Sequence, residues 1–538
     1  MVIRGARDMH FLQGRHVRRL CAVAAFSTSG AGGLSGCTYA EDCGEERMCL
    51  APPPSPCEVN EPGMGPVMMD ECGVFASASA PAEGARAGTR LEPLGSLQAA
   101  IVEAQARGLR HVYACGETFE EEVTLVSGIH LWGGRSCEDG AWSFDGANHP
   151  TIIAPPSGIP LRVVGDEGAT SVIYGVRVVA ADASASDGRS SIAMILSAGA
   201  GAIVRSSAIV ARDAKDGEPG KDADSERAAD GVEGNDGASA CTDDSPTGAL
   251  PVVTACDDGT ESTGGYGGDG GLDAGGDGAP GEPRPASQDP EKTGLGGHGA
   301  DALTRCKEGA PGPDGANAGR ADGAVGMGYL TEDGWVGTRG KDGERGGVGH
   351  GGGGGGGSKG RGDMVACRAG RPRGGAAGGS GGSGGCGGLG GKGGGYGGAS
   401  IGVVALPGSS VTLEATTVTA GKGGVGGVGG TGQPGGVGRP GGYGGQGFDG
   451  LWAACPGGRG GWGGRGGDAG GGLGGPSYGV ASIGAYVHFG PDAPLRPGSA
   501  GIGGSGGNAA PDDPVGKGQS GYSLPYVQFD APEPEPPR

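Results

Sequence analysis

Aromatic side chains make up only 4% of this 538-residue chain, and no stretch approaches the ~20 consecutive apolar residues of a membrane-spanning helix. The 14 cysteines include no C-x-x-C pair and no neighbouring histidine, which excludes the usual zinc frameworks. No G-x-x-x-x-G-K-[ST] follows a strand, and Gly355-Gly356-Gly357-Ser358-Lys359 has the wrong order for a phosphate cradle. Basic residues are in deficit too. The formal charge is −21; without the first 36 residues, which hold five Arg and one acid, 35 basic side chains face 60 acidic ones, a balance of −25. A surface of that sign repels nucleic acid and anionic lipid.

Glycine is what the chain has in excess, 133 residues of it. Glycine brings no side chain to a core and loses the most backbone entropy on ordering, so the core is confined to the apolar segments. These crowd between Arg110 and Asp213: His111–Ala114, Val123–Leu125, Ile129–Trp132, Thr151–Ile153, Leu161–Val164 and Val172–Val179. Each is strand length, rich in β-branched residues and bounded by Gly, Pro, Asp or Ser. Short strands at this spacing build a sandwich, a barrel or a solenoid of stacked coils.

Two features favour the solenoid. Ser96 is placed to cap one amphipathic helix, with Leu97, Ala100, Ile101 and Ala104 on a single face and Gly108 as its stop. A helix there would cover the open apolar end of a first coil. Further on, Ser191–Ala211 aligns without gaps on Ser400–Ala420, matching Ile195 with Val404, Val204 with Leu413 and Ile209 with Val418, and Ser482-Ile483 begins the pattern a third time. If these are consecutive rungs, Ile192 lies against Ile401 and Ile209 against Val418. Chance similarity among small apolar residues is the competing explanation.

The N-terminus reads as an export signal: Arg15, His16, Arg18 and Arg19 precede a short apolar run, Leu20–Phe26, and then small residues. A start at Met9 would give a signal of more ordinary length. The sequence Leu34-Ser35-Gly36-Cys37 that follows resembles a bacterial lipobox, which implies acylation of Cys37; the competing reading is secretion with Cys37 in a disulfide. With Cys21 in the signal and Cys37 lipidated, 12 cysteines remain as disulfide candidates: Cys43, Cys49, Cys57, Cys72, Cys115, Cys137, Cys241, Cys256, Cys306, Cys367, Cys386 and Cys455. An even remainder fits an oxidising compartment. Connectivity does not follow from spacing, save that Cys115 and Cys137 lie about one rung apart and are expected to pair.

The intervening tracts repeat Gly-Gly-X with period three, as in Gly423–Thr431 and Gly460–Asp468. Three is the period of polyproline II, where glycine on one side lets neighbouring helices approach. The tracts resemble the glycine-rich domain of Obg GTPases and the snow-flea type of antifreeze protein, which implies bundles of such helices. Disorder is the alternative, with equal claim on 212–300. The expected organisation is a signal peptide over 1–36, a lipidated Cys-rich tether over 37–89, a β-helix with its capping helix over 90–211, and glycine-rich insertions over 212–398 and 421–477. Rungs fall at 399–420 and 478–490, and a glycine- and proline-rich tail at 491–538. Residues 73–92 read as irregular, and Leu524–Phe529 as a final strand.

Chemistry is hard to find. The nonapeptide-like Gly264–Asp269 and Gly463–Asp468 lack the large apolar residue that calcium-binding β-rolls need, since Gly271 and Gly470 occupy its place. Arg162, Arg177 and Arg205 stand on strands without acids at matching positions, His111 and His130 read as structural, and Arg361-Gly362-Asp363 as a chance tripeptide. Tyr266, Tyr329, Trp335, Tyr396, Tyr443 and Trp462 are expected to pin the glycine tracts by packing. No catalytic residue, metal or cofactor is expected.

The run Leu97–Ile101, Val112-Tyr113, Gly116–Phe119, Val123–Leu125 and Ile129–Gly134 resembles the opening of pectin-lyase-like right-handed parallel β-helix proteins. The resemblance covers about residues 90–211 and implies an all-β right-handed solenoid. With its lipobox and glycine tracts the chain is also similar to the large glycine-rich surface lipoproteins often labelled PE-PGRS, although the Pro-Glu helical domain of true members is absent. The function expected is non-enzymatic surface display or adhesion at a bacterial envelope, on the outer membrane or secreted. Its partner would be a cell-surface polysaccharide or another cell, with lipid as the only membrane anchor and no nucleic acid. A polysaccharide-active β-helix enzyme and an ice- or hydrated-surface-binding protein are the alternatives; a Thr or Ala array on a polyproline II face would favour the last.

Overall fold

Three parallel sheets carry the core of the computed structural model, which describes residues 57, 60–61, 65–66, 68–81, 87–137, 140–146, 148–165, 168–183, 190–284, 293–362, 366–448, 450–510 and 512–530. The chain divides into two compact units, Met1–Pro56 and Cys57–Arg538, and all described residues belong to the second. The lipobox, Cys37, Cys43 and Cys49 lie outside the described residues.

The first sheet stacks Val123–Val126, Leu161–Val164, Ser191–Leu196, Ser400–Ala405, Ser477–Ile483 and Ser523–Phe529. The second runs from Gly73–Ala76 through His111–Cys115, His130–Ser136, Thr170–Tyr174, Gly201–Arg205 and Ser410–Glu414 to Tyr486–Phe489. The third stacks Thr118–Phe119, Thr151–Ile153, Val176–Val179, Ala208–Val210, Thr417–Thr419 and Leu495–Arg496. Each turn of chain adds one strand to each sheet, an arrangement compatible with a parallel β-helix. Leu125, Leu131, Ile153, Val163, Ile173, Val178, Met194, Val204 and Ile209 fill the space between the sheets.

Ile192 lies in register beside Ile401, and Ile209 beside Val418, as the repeat predicts. The third repeat is displaced from its expected start: Ser477, not Ser482, pairs with Ser400, and Tyr478 stands where the earlier rungs carry Ile. The segment Ser477–Ile483 holds two serines, and burial of Tyr478 against Ile401 and Val404 selects the first. Gly73–Ala76, in the stretch expected to be irregular, is a strand paired with His111–Ala114.

The helix Leu97–Arg107 has the expected ends. Ser96 Oγ accepts the N–H of Ala99 and Gly108 adopts φ 69°. Glu121 takes the N–H of Leu97 at 2.6 Å, so a carboxylate meets the positive end of the helix dipole. Leu97, Ala100, Ile101 and Ala104 join Val74, Val112 and Val123 in the core.

Both glycine insertions, and a third glycine excursion over 498–522 within the segment expected to be a tail, leave after the third sheet and return to the first. Their outgoing segments, 212–240, 421–447 and 498–507, carry the third sheet's ladder onward: Ala211 N–H donates to Thr419, Ala214 to Lys422, Gly217 to Val425, and the series runs to Ala240 and Gln446, every third residue except for a step of five between the donors Ala223 and Ala228. The returning segments, 376–398, 455–475 and 516–522, likewise lead into the first sheet, with Gly394 donating to Gly470 and Gly397 to Leu473. Apart from that step the hydrogen-bond period is three, that of polyproline II.

Glycine spacing follows the number of neighbours. In the edge segment 212–240 one residue in three faces another backbone; a Cβ on Gly217 or Gly220 would strike the carbonyl of Gly395 or Lys392. In Gly-Gly-X segments two faces are packed. The uninterrupted run Gly351–Gly357 is enclosed on all three, meeting Thr263, Gly458 and Leu295 and then, one triplet on, Tyr266, Cys455 and His298. Along 455–475 the third face reads Gly at 471 and 474, against Gly504 and Gly501, and changes to Asp468, Arg465, Trp462 and Arg459 where that neighbour has ended.

The insertions also cover the sheets. The hairpin Tyr329–Thr331 and Gly334–Val336 lays Leu330 and Trp335 on Ile192, Ile195, Ile401 and Val404, so the first sheet is buried on both faces. That accounts for its unbroken apolar strands. Ser191, Ser400, Ser477 and Ser523 stand in register where insertions join it. Ser400 Oγ donates to the carbonyl of Arg212 at 2.7 Å and accepts the N–H of Gly421 at 2.8 Å, and Ser477 repeats this with Gly421 and Gly498.

Candidate functional site

Five disulfides are present among the described residues: Cys57–Cys72, the expected Cys115–Cys137, Cys241–Cys367, Cys256–Cys386 and Cys306–Cys455. Such a set fits an extracellular or secreted protein. Among the described residues no helix is long and apolar enough to cross a membrane, and no group of three or more His, Cys, Asp or Glu could hold a metal ion. Asp269 and Asp468, the acids of the calcium-like segments, accept backbone N–H groups of Gly248 and Gly432 instead.

Phe75, Tyr113, Trp132 and Tyr174 follow one another in register on the second sheet, and the row continues as Arg205 and Glu414. Arg205 and Glu414 meet at 2.6 Å, so an acid does match that arginine, contrary to expectation. Arg162 donates to the carbonyl of Glu332, and Arg177 is exposed. Trp132 Nε1 donates to His111 Nδ1, and the N–H of Val172 to His130 Nδ1. Burial, with His130 beside it, pushes the His111 imidazole down to about 4, and burial lowers His130 as well. A cavity of about 280 Å³ borders Ser77, Ser79, Glu117 and the Cys115–Cys137 bridge, where the Glu117 carboxylate is already bound by both serines.

The sequence-selected aromatics divide. Trp335 is buried, its Nε1 bonded to Met327 and its ring edge-on to Tyr396. Tyr266, Tyr329, Tyr443 and Trp462 are exposed, and the Trp462 ring lies between Arg227 and Arg459. Asp363 of the Arg-Gly-Asp tripeptide lies outside the described residues.

A concentration of charged and aromatic groups that sequence reasoning missed lies where the glycine segments turn back, at the end away from the sheets. Two bridges staple it, Cys241–Cys367 and Cys306–Cys455. The loop 359–374 carries Lys359, Arg361, Arg368, Arg371 and Arg373 against the single acid Asp363, the reverse of the chain's overall balance. Arg305 at 5.4 Å and Lys359 at 4.5 Å both lie over the Trp452 ring. Leu303 is 92% exposed and Phe448 46%. One cavity of about 310 Å³ is lined by Leu272, Arg361, Arg368, Arg371 and Arg373; another of about 210 Å³ by Cys241, Arg368, Arg371 and Phe448. Backbone N–H groups of Leu303 and Thr304 hold the nearby Asp301 carboxyl below its ordinary range. The signal available in the sequence was the arginine cluster itself, in a chain otherwise short of bases.

No family model, curated protein or solved structure matches the chain.

Proposed function

We propose that this protein is a non-enzymatic, extracellular display or adhesion protein: a parallel β-helix, capped by its N-terminal helix, that projects a bundle of polyproline II segments and makes contact through their far end. At the about 3.1 Å rise of polyproline II, the segment 421–447 reaches roughly 80 Å from the sheet corner. The observation that carries the reading is the placement of exposed Phe448 and Leu303 and a cluster of arginines at that end, held by two disulfides. The lipobox-like Leu34–Cys37 supports attachment to a bacterial envelope through acylated Cys37.

An enzyme is favoured less, since Arg205 is consumed by Glu414 and the histidines by ring and backbone partners. An ice-binding face is favoured less as well. The outward row of 421–447 reads Val425, Val428, Thr431, Pro434, Val437, Pro440 and Tyr443, not an array of Thr or Ala, and Thr431 Oγ1 is bonded to Asp222. Beads coated with the disulfide-intact protein test the reading against bacterial cells. Adhesion is expected, with loss when Arg368, Arg371 and Arg373 are replaced by Ala; undiminished adhesion by that variant would remove the far end from the function.

A further inference from the structure

We infer that one edge of the glycine bundle has the hydrogen-bond pattern to take a further polyproline II segment, supplied by a second copy of this chain, and that Arg459, Trp462 and Arg465 hold that edge shut.

The segment 498–507 shows what the edge would bind. It lies along 421–447 and 455–475, accepting the N–H groups of Gly423, Gly426 and Gly429 through the carbonyls of Ser499, Ile502 and Ser505. Gly501, Gly504 and Gly507 donate to the carbonyls of Gly475, Gly472 and Ala469. After Gly507 the chain turns back, the turn held by Arg320, which donates to the carbonyls of Gly507 and Asn508 and pairs with Asp513. The two segments it lay along continue outward with the same period. There the N–H groups of Gly435, Gly438 and Gly441 have no partner among the described residues, and neither have the carbonyls of Gly463, Gly460 and Gly457 that face them. Each group lies twelve positions beyond its satisfied counterpart, Gly435 beyond Gly423 and Gly463 before Gly475. An unpaired edge of extended backbone is a template for another chain, and this one repeats a pairing the fold already makes.

The third face of 455–475 decides whether the template is open. Where 498–507 packs, that face carries Gly474 and Gly471, and a Cβ at either would strike the carbonyl of Gly501 or Gly504. At the equivalent positions along the edge stand Arg465, Trp462 and Arg459. A segment entering at the same depth would meet three side chains where glycine offers only hydrogen. Asp468 closes the near end: its Oδ1 accepts the N–H of Gly432, the next donor in the row after Gly429, and Arg465 donates to the same oxygen at 2.6 Å. Arg227 and Arg459 both lie over the Trp462 ring, each 5.4 Å from its centre. Arg227 comes from 212–240, on the other side of 421–447, so the ring is held from two segments. Arg459 Nε also donates to the carbonyl of Gly438 at 3.4 Å. Gly435 and Gly438 are buried, although no backbone segment pairs with them on that side.

A glycine-rich segment is free to enter only before its own bundle has closed, so the test is refolding of the full disulfide-bonded chain from urea at rising protein concentration, followed by sedimentation. Relative to the parent, Arg459→Gly/Trp462→Gly/Arg465→Gly should show an at least tenfold larger associated fraction. Arg459→Ala/Trp462→Ala/Arg465→Ala keeps each Cβ and should behave as the parent. Polyproline II circular dichroism establishes that the variants have refolded; if the triple Gly variant loses that signal, Trp462→Gly alone is judged by the same criterion. In the parent, the N–H of Gly441 should exchange with solvent at least tenfold faster than that of Gly426, which is bonded to Ile502. A refolded Gly variant that associates no more than the parent, an Ala variant that associates as much as the Gly variant, or a Gly441 N–H as protected as that of Gly426 would overturn the inference.

Discussion

Asp216 accepts the N–H of Val425 at 2.7 Å, while the next residue, Gly217, donates its own N–H to the Val425 carbonyl. Glycine permits the approach of the two segments, and the aspartate satisfies a donor that a lattice of period three leaves over. The excess of acid in this chain is therefore in part a structural component. Asp216→Ala should cost about 1 kcal/mol. Gly354→Ala should cost about 3 kcal/mol or more, because its Cβ would overlap the Tyr266 carbonyl and no flexible side chain is there to yield. Urea unfolding of both variants checks the ranking, and a Gly354→Ala protein as stable as the parent would contradict the packing.

Ser400 joins two insertions at one hydroxyl. Its replacement by Ala leaves the N–H of Gly421 and the carbonyl of Arg212 without that partner at a fully buried position, a loss of about 2 kcal/mol. Ser410, partly exposed on a neighbouring strand, should tolerate the same change within about 0.5 kcal/mol. Equal effects at the two positions would argue against the serine ladder.

Acid should act in two windows. His111, lowered from 6.5 to about 4, is held neutral in the fold while the unfolded chain takes up a proton, so stability falls as pH drops from 6.5 to 4, by on the order of 3 kcal/mol. The change should appear in the fluorescence of Trp132, which donates to His111, and should shrink in His111→Gln to the part that His130, lowered by burial too, contributes. The carboxyls of Asp277, bound by the Gly299 N–H, and Asp342, bound by Lys392 and then by the Gly393 N–H, lie below their ordinary 3.8. Their contribution is complete above that value and is lost as pH falls further. Loss of the polyproline II circular dichroism signal should therefore come at lower pH than the fluorescence change.

Replacing 214–397 with a short Gly/Ser linker should preserve the β signal, because the rungs at Ser191–Val210 and Ser400–Thr419 pair directly and closure entropy grows slowly with loop length. The same deletion strips Trp335 and Leu330 from Ile192, Ile195, Ile401 and Val404. The shortened protein should bind a hydrophobic dye and melt earlier than the parent. A vanished β signal would mean that the glycine tracts are needed to form the core.

Much of this architecture was legible in the chain. Strand identity, the helix with Ser96 and Gly108 at its ends, the Cys115–Cys137 bridge and the pairing of Ile192 with Ile401 follow from local chemistry and one gap-free repeat, because β-branched runs, caps and rung length are local properties. Where Gly351–Gly357 sits was not legible: three glycines per triplet states that three neighbours are close, not which ones, and Thr263, Gly458 and Leu295 arrive from distant parts of the chain. The register of Ser477 over Ser482 was set by burial of Tyr478. Arg361, Arg368, Arg371, Arg373 and Phe448 came to line neighbouring cavities only when the lattice brought the ends of several segments together. The sequence by itself determined which segments are strands and how many faces of each glycine segment must be packed; the tertiary structure alone decided the partners, because a backbone hydrogen bond of period three is the same for every neighbour and only the connections at the sheet corner place them.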